Sequence, residues 1–201
     1  MFAALLCVSA ILAAPAAAWA VTGQVGGTVL LPAGHSVYTV SDCTNLDQID
    51  MNAADAGADI TVTDTTISAG VVSAIHHTGM VGGSLTIKNV VARSNLHKGL
   101  YILSATAGSV ISISDSRFTG VTWGLLFENL AGTTVDIVHV EAHGGSANAI
   151  RFTTVTAGSA ITVEGFTGTA VGPTAIFFYT FAASTLMVTR ASAQKAGTYG
   201  M

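Results

Sequence analysis

Two aspartates are the residues of this chain whose types and spacing best suit acid–base chemistry. Asp64 and Asp115 each follow an apolar pair of residues by the same short interval, and Asn89 holds the equivalent place between them. If the apolar pairs stack as neighbouring strands, the two carboxylates lie two layers apart, at about 9.6 Å. That distance is just above the roughly 6.5–9.5 Å between the carboxyl groups of inverting glycoside hydrolases. If the chain is an enzyme, Asp64 and Asp115 are therefore the expected catalytic pair.

The same position also has a purely structural interpretation. Its six occupants along the chain are Asp64, Asn89, Asp115, His139, Gly165 and Arg190. Asp, Asn and Gly favour turns, because they bond their own backbone or accept backbone angles that other residues avoid. The pattern therefore favours a column of turn residues, and no catalytic residue is expected on this evidence.

Histidines beside a glutamate raise the question of a metal site. His139, Glu141 and His143 alternate along the chain, so an extended strand would point all three to one side. Imidazole and carboxylate groups suit Zn²⁺. In an extended strand, however, the Cα atoms of His139 and His143 are more than about 13 Å apart, which is too far for a shared ion. We expect neither a metal nor another cofactor.

A third set of residues suggests a binding surface. One repeated strand position, between two apolar residues, is occupied by His76, Tyr101, Leu126, Arg151 and Phe177. Aromatic side chains at the spacing of stacked strands would form a platform for sugar rings or for a partner protein, unless another part of the protein covers them. Two further aromatic residues, Trp123 and Tyr179, should flank this position. The candidate binding face comprises His76, Tyr101, Trp123, Arg151, Phe177 and Tyr179.

All these positions are set by a repeat with a period of about 25 residues, within the range of known repeat architectures. An apolar-x-apolar pair recurs at nearly equal steps, at Ile60/Val62, Leu85/Ile87, Ile111/Ile113, Val135/Ile137, Ile161/Val163 and Leu186/Val188. A second marker follows each of the first five pairs at a nearly constant interval, at Ala74-Ile75, Gly99-Leu100, Gly124-Leu125, Ala149-Ile150 and Ala175-Ile176. A fixed period of this size is typical of a solenoid, in which each unit buries its apolar face against its neighbours.

The residues within each unit are typical of β-strands. Apolar and polar residues alternate, Thr, Ile, Val and Phe dominate, and no stripe of helical spacing is sustained. The motifs of leucine-rich repeats and of calcium-binding nonapeptide repeats are absent. We therefore predict an all-β fold, a single-stranded right-handed parallel β-helix with about six coils over residues 59–201 and an uncapped C-terminal end. Residues 21–58 are predicted to form an N-terminal cap and a first imperfect coil.

Two apolar segments bear on localisation. Residues 1–20 are Ala-rich and end in Ala18-Trp19-Ala20, which predicts a signal peptide cleaved before Val21, with an uncleaved anchor as the alternative. Residues 170–188 are uncharged and long enough for a membrane span, yet they keep the repeat register. We therefore expect no membrane span in the mature chain, which should be secreted or held at the cell surface.

Composition excludes further classes. Half of the residues are hydrophobic and only 9% are charged, which is too apolar for a disordered chain. The net charge is −4 and the seven basic residues are scattered, so nucleic-acid binding is not expected. Cys43 is the only cysteine outside the predicted leader, and we expect it to be a small buried side chain.

With the coils laid out, residues 59–201 resemble the pectate-lyase-like (pectin lyase-like) superfold of right-handed β-helix proteins. Enzymes of that fold use clustered acidic residues in a groove on one outer face, and the resemblance implies that Asp64 and Asp115 would serve. The charge-poor coils, such as residues 83–90 (GSLTIKNV), also resemble the dispersed gene family surface proteins of kinetoplastids. That resemblance implies a long, secreted or membrane-anchored adhesion protein of which this chain is a portion.

Three functional hypotheses follow. The favoured one is a non-catalytic adhesion or interaction module that binds a surface glycan or a host or partner protein, because acidic residues are scarce on the repeat. The alternative is a polysaccharide lyase or glycoside hydrolase that acts on an acidic polysaccharide. The third is a fragment without independent activity, whose open end would associate edge to edge with another copy.

Overall fold

A computed structural model describes residues 18–70, 72–106, 108–156, 158–172 and 174–195. These residues form parallel strands stacked in coils of about 25 residues, giving a β-solenoid of about six turns. The predicted parallel β-helix is therefore confirmed. The described residues contain no helix of the length and apolar character that a membrane crossing requires.

The first sheet has twelve strands and covers two adjacent faces of the solenoid. Face 1 consists of the strands that open the coils: β1 (Ala18–Thr22), β3 (Val37–Ser41), β5 (Asp59–Ala69), β8 (Ser84–Ser94), β11 (Val110–Ser114), β15 (Thr134–Val138), β18 (Ala160–Glu164) and β21 (Thr185–Thr189). Face 2 follows a bend in each coil and includes β12 (Arg117–Gly120), β16 (Glu141–Gly144), β19 (Thr167–Ala170) and β22 (Ser192–Lys195). The long strands β5 and β8 continue through the bend, which joins both faces into one sheet.

The second sheet has ten strands and forms face 3. Its main strands are β2 (Thr28–Leu30), β4 (Gln48–Asp50), β6 (Ile75–His77), β9 (Leu100–Ile102), β13 (Leu125–Phe127), β17 (Ile150–Thr156) and β20 (Ile176–Phe181). Three short strands extend it: β7 (Met80–Val81), β10 (Ala105–Thr106) and β14 (Leu130–Ala131). Turns rich in Gly, Ala and Ser then lead back to face 1 of the next coil.

The register places the repeated apolar residues in columns inside the solenoid. The first residues of the six pairs are aligned one above another: Ile60, Leu85, Ile111, Val135, Ile161 and Leu186. The first five are at most 2% exposed, whereas Leu186 in β21 is 39% exposed. Burying each such side chain contributes roughly 1.5–3 kcal/mol. The repeat therefore specifies the core directly.

A second inner column lies on the inward side of face 3. Its members are His77, Ile102, Phe127, Phe152 and Phe178. The Phe152 ring stacks between Phe127 and Phe178, with centroid distances of 5.0 and 4.9 Å and planes within 9° and 4°. His77 occupies an aromatic position of this column and is 3% exposed.

Residues 18–58 continue both sheets beyond the regular repeat. Strand β1 pairs with β3 and β3 pairs with β5, so Trp19 lies next to Tyr38 in the column that leads to Ile60. Cys43 is buried, as expected, and is a free thiol. The predicted cleavage point between Ala20 and Val21 lies within β1, and residues 1–17 of the predicted leader are outside the described residues.

Candidate functional site

The turn column lies at the bend between face 1 and face 2. All its members adopt a positive φ between 49° and 61°: Asp64, Asn89, Asp115, His139, Gly165 and Arg190. Asp42 adopts the same conformation one coil earlier, with φ 54°. Asp, Asn and Gly tolerate this left-handed conformation better than other residues. This backbone conformation is the one that the turn interpretation of the column expects.

The two candidate catalytic carboxylates contact the turn residue of the following coil. Asn89 Nδ2 donates a hydrogen bond of 2.6 Å to Asp64 Oδ1, and His139 Nδ1 lies 3.5 Å from Asp115 Oδ1. Both carboxylates therefore point along the column in the same direction, and Asp115 points away from Asp64. This arrangement connects successive coils and does not aim the two carboxylates at one substrate atom.

The turn role predicts how Asp115 tolerates substitution. Asp115→Asn should leave the free energy of unfolding within about 0.5 kcal/mol of the parent, because Asn also tolerates positive φ. Asp115→Val should lower it by about 1–2 kcal/mol, since a β-branched side chain clashes in this conformation. Urea denaturation of both variants measures the difference. Equal losses in the two variants would contradict the turn role.

The bend divides the three residues of the His-x-Glu-x-His motif. His139 is the turn residue, whereas Glu141 and His143 lie in β16 with a distance of 2.7 Å between Glu141 Oε1 and His143 Nε2. Among the described residues, no group of three or more His, Cys, Asp or Glu side chains is arranged so that it could hold a metal ion.

The candidate binding residues come together on the outside of face 3. One outward column runs through β6, β9, β13, β17 and β20 and contains His76, Tyr101, Leu126, Arg151 and Phe177. It crosses four coil spacings, or about 19 Å. Leu126 is buried, the other four are half-buried, and Tyr179 at the end of the column is 70% exposed. The predicted juxtaposition is present, and its binding role stays a prediction.

Lys98 connects the first aromatic residues of this column. The His76 ring stacks on Tyr101, with centroids 5.1 Å apart and planes within 4°. Lys98 Nζ lies 3.8 Å from the centroid of Tyr101 and 5.6 Å from that of Trp123. Cation–π contacts at such distances contribute about 0.5–1 kcal/mol each at exposed sites.

Arg151 connects the aromatic residues of the later coils, as Lys98 connects those of the earlier ones. Its guanidinium carbon lies 5.8 Å from the Trp123 centroid and 5.3 Å from that of Phe177. The Phe177 and Tyr179 rings are 6.5 Å apart. Ring–ring and cation–ring contacts thus connect one strip, which we call the aromatic–cation column: His76, Lys98, Tyr101, Trp123, Arg151, Phe177 and Tyr179.

Partial burial changes the protonation chemistry of the column. Burial raises the pKa of Tyr101 to about 12, together with the 2.9 Å hydrogen bond that its hydroxyl donates to Glu128 Oε2 and the charge of that carboxylate. Burial lowers the pKa of Lys98, and Glu128 opposes this change. Burial also lowers the pKa of His76, an effect that Asp50 opposes and Lys98 increases. Around neutral pH the Tyr101 phenol is therefore un-ionised, and it lies between the His76 ring and the Lys98 ammonium group.

Ring stacking and burial limit what the strip exposes. His76 and Tyr101 belong to successive coils, and their parallel rings stack on each other. Within the described part of the chain, Trp123 Nε1 and Arg151 Nε are shielded from solvent and have no hydrogen-bond partner. The strip thus offers half-buried rings, cationic groups and the exposed Tyr179.

Sequence reasoning identified the aromatic residues of the column but not Lys98 or Glu128. A signal for Lys98 existed, because it precedes Trp123 by one period of the repeat and therefore holds the same place in the preceding coil. Glu128 follows Phe127 in a turn with no repeated residue type, so the period alone gave no reason to select it.

We compared the chain with protein-family models, with curated proteins and with solved structures, and none of the three comparisons found a match.

Proposed function

We propose that the chain is a non-catalytic interaction module of a secreted or cell-surface protein, possessing the aromatic–cation column as its binding face. The observation that carries this proposal is the continuous series of ring–ring and cation–ring contacts from His76 to Tyr179, over about 19 Å of outer surface. The orientation of Asp64 and Asp115 along the turn column also favours a structural role for these acids over a catalytic one.

The chemistry of the column favours a protein partner over a neutral sugar. Sugars stack on open ring faces, whereas the His76 and Tyr101 rings stack on each other and Lys98 lies over Tyr101. Tyr, Trp, Phe and Arg are the residues enriched at protein–protein interfaces and among their energetic hot spots.

A binding panel with a parallel turnover assay tests the proposal. The purified chain is applied to immobilised extracellular matrix proteins and to neutral and acidic glycans, and the release of unsaturated uronate or reducing ends is followed on the same glycans. We expect binding to a protein without turnover. Arg151→Gln and Tyr179→Ser should each weaken that binding at least tenfold, as expected when hot-spot residues are truncated.

Matched variants separate the binding face from general effects of charge and hydrophobicity. Lys88→Gln removes an exposed cation from face 1, and Val110→Ser removes an exposed apolar side chain from the same face. Both should leave binding unchanged within about twofold, and light scattering should show the same association state for all variants. Turnover that is lost in Asp115→Asn would replace the proposal with the enzyme hypothesis. If Arg151→Gln and Tyr179→Ser leave the affinity for the protein partner unchanged, the assignment of the binding face is wrong.

A further inference from the structure

A groove on the outside of face 2 is separate from the aromatic–cation column. It has a volume of about 450 Å³ and continues into a neighbouring depression of about 370 Å³. Arg93, Thr119 and His143 line both. The register makes them successive members of one outward column, which continues to Thr169 and Gln194. The floor of the groove is therefore a row of hydrogen-bonding side chains at the spacing of the coils.

A second outward column lies beside the first and adds charge. Arg117 Nε lies 3.4 Å from Glu141 Oε2, and Glu141 Oε1 lies 2.7 Å from His143 Nε2. Arg117 Nη2 approaches the same His143 nitrogen at 3.3 Å. Because a guanidinium only donates, His143 Nε2 serves as the acceptor for Arg117 or as the donor to Glu141, and not both. Thr169 Oγ1 contacts the other ring nitrogen of His143.

The Arg93 guanidinium is the group of the groove that can bind an anion. Within the described residues, its side chain makes no ion pair and no hydrogen bond, whereas Arg117 is paired with Glu141. Two of the seven basic residues of a chain with net charge −4, Arg93 and Arg117, thus line the depression. Among the described residues that line the groove and the depression there is no Asp or Glu, and Glu141 contacts Arg117 from beside them. A free guanidinium matches a carboxylate or sulfate with two parallel hydrogen bonds.

We propose that this groove binds the carboxylate or sulfate groups of an acidic glycan. Arg93 holds one such group, and the Thr119 hydroxyl and the His143 ring lie next to it along the same column. Asn95 and Ser146 on the groove rim supply further donors and acceptors for sugar hydroxyls. Arg93 and Thr119 lie one coil spacing apart, about 4.8 Å, which is similar to the length of one sugar unit in an extended chain. This site does not depend on the proposed protein-binding face.

Calorimetric titration of the full chain with three oligosaccharides tests the site. Dextran sulfate carries sulfate alone, hyaluronan oligosaccharides carry carboxylate alone, and unmodified dextran is the neutral control. We expect at least one charged oligosaccharide to bind, with an affinity that falls as salt is added, and dextran not to bind. Binding of dextran sulfate alone or of hyaluronan alone identifies the anionic group, and either result supports the proposal.

Three substitutions locate the binding. Arg93→Gln should weaken it about tenfold or more, and Lys88→Gln, which removes an exposed cation outside the groove, should change it less than twofold. Glu141→Gln should tighten it severalfold, because it releases Arg117 from its carboxylate partner. The proposal is overturned if neither charged oligosaccharide binds, if dextran binds equally well, or if Arg93→Gln and Lys88→Gln have the same effect. Tyr179→Ser should not change the affinity of the groove for the oligosaccharide. Failure of the groove proposal can therefore be distinguished from failure of the proposed protein-binding face.

Discussion

Phe152→Ala should lower the free energy of unfolding by about 3–5 kcal/mol, the usual cost of removing a fully buried aromatic side chain. The Phe152 ring is completely buried and stacks on Phe127 below and Phe178 above. The rigid coils on either side cannot close the resulting cavity, because their spacing is fixed by the parallel sheet. Urea denaturation followed by circular dichroism measures the loss.

Phe152→Leu is the matched control for this prediction. It retains much of the buried volume but removes the ring stacking, which contributes about 0.5–1.5 kcal/mol beyond burial. We expect a loss of about 1–2 kcal/mol, clearly smaller than that of the alanine variant. If Phe152→Ala cost less than about 1 kcal/mol, the inner aromatic column would not be part of the folded core.

His77 should make the stability of the fold depend on pH. Burial, assisted by the nearby His76 and opposed by Asp50, lowers the pKa of His77 to about 4. The unfolded chain takes up a proton near pH 6.5, whereas the folded chain keeps the ring neutral until about pH 4. The stability associated with the neutral ring is therefore complete above about pH 6.5 and is lost as the pH falls towards 4. The expected loss is about 3 kcal/mol.

Replacing His77 by an aromatic residue isolates its contribution. His77→Phe matches the Phe127 and Phe152 positions of later coils and should remove most of the decline in unfolding free energy between pH 7 and pH 4. His139→Asn alters an exposed histidine and should leave the decline unchanged. Parallel pH profiles of the parent chain and the two variants provide the comparison. A decline that persists in His77→Phe would show that another group causes it.

The repeat predicted the core because its period places equivalent residues in the same column. Ile60 and Leu85 are one period apart, and one complete coil brings them into register. The period is less regular towards the N-terminus, where β1, β3 and β5 begin at residues 18, 37 and 59. The Tyr38/Val40 pair precedes Ile60 by a shorter step than later pairs, so the repeat indicated only a cap and one imperfect coil in a segment that contributes β1, β2, β3 and β4 to the two sheets.

The sequence predicted which strand residues of the candidate sites share a column, but not the contacts of their flexible side chains and loops. The alternation of strand residues indicated that Tyr101 and Phe177 share an outer column. It could not indicate that Lys98 folds over the Tyr101 ring, because the direction of a long flexible side chain depends on its neighbours. In the same way, the period places Arg93 and His143 in one column, but the groove around them depends on loops such as the one that contains Ser146. Those loops carry no repeated pattern.

Hydroxyl-radical footprinting of the chain with and without its tightest partner from the binding panel tests the assigned binding face most directly. We expect Tyr179, Trp123 and Phe177 to become protected from oxidation in the complex, because the partner covers the aromatic–cation column. Exposed side chains of face 1, such as Val110, should react equally in both states. Unchanged oxidation of Tyr179 and Trp123, with protection confined to face 1 or to the turn column, would contradict the account and place the binding face elsewhere on the solenoid.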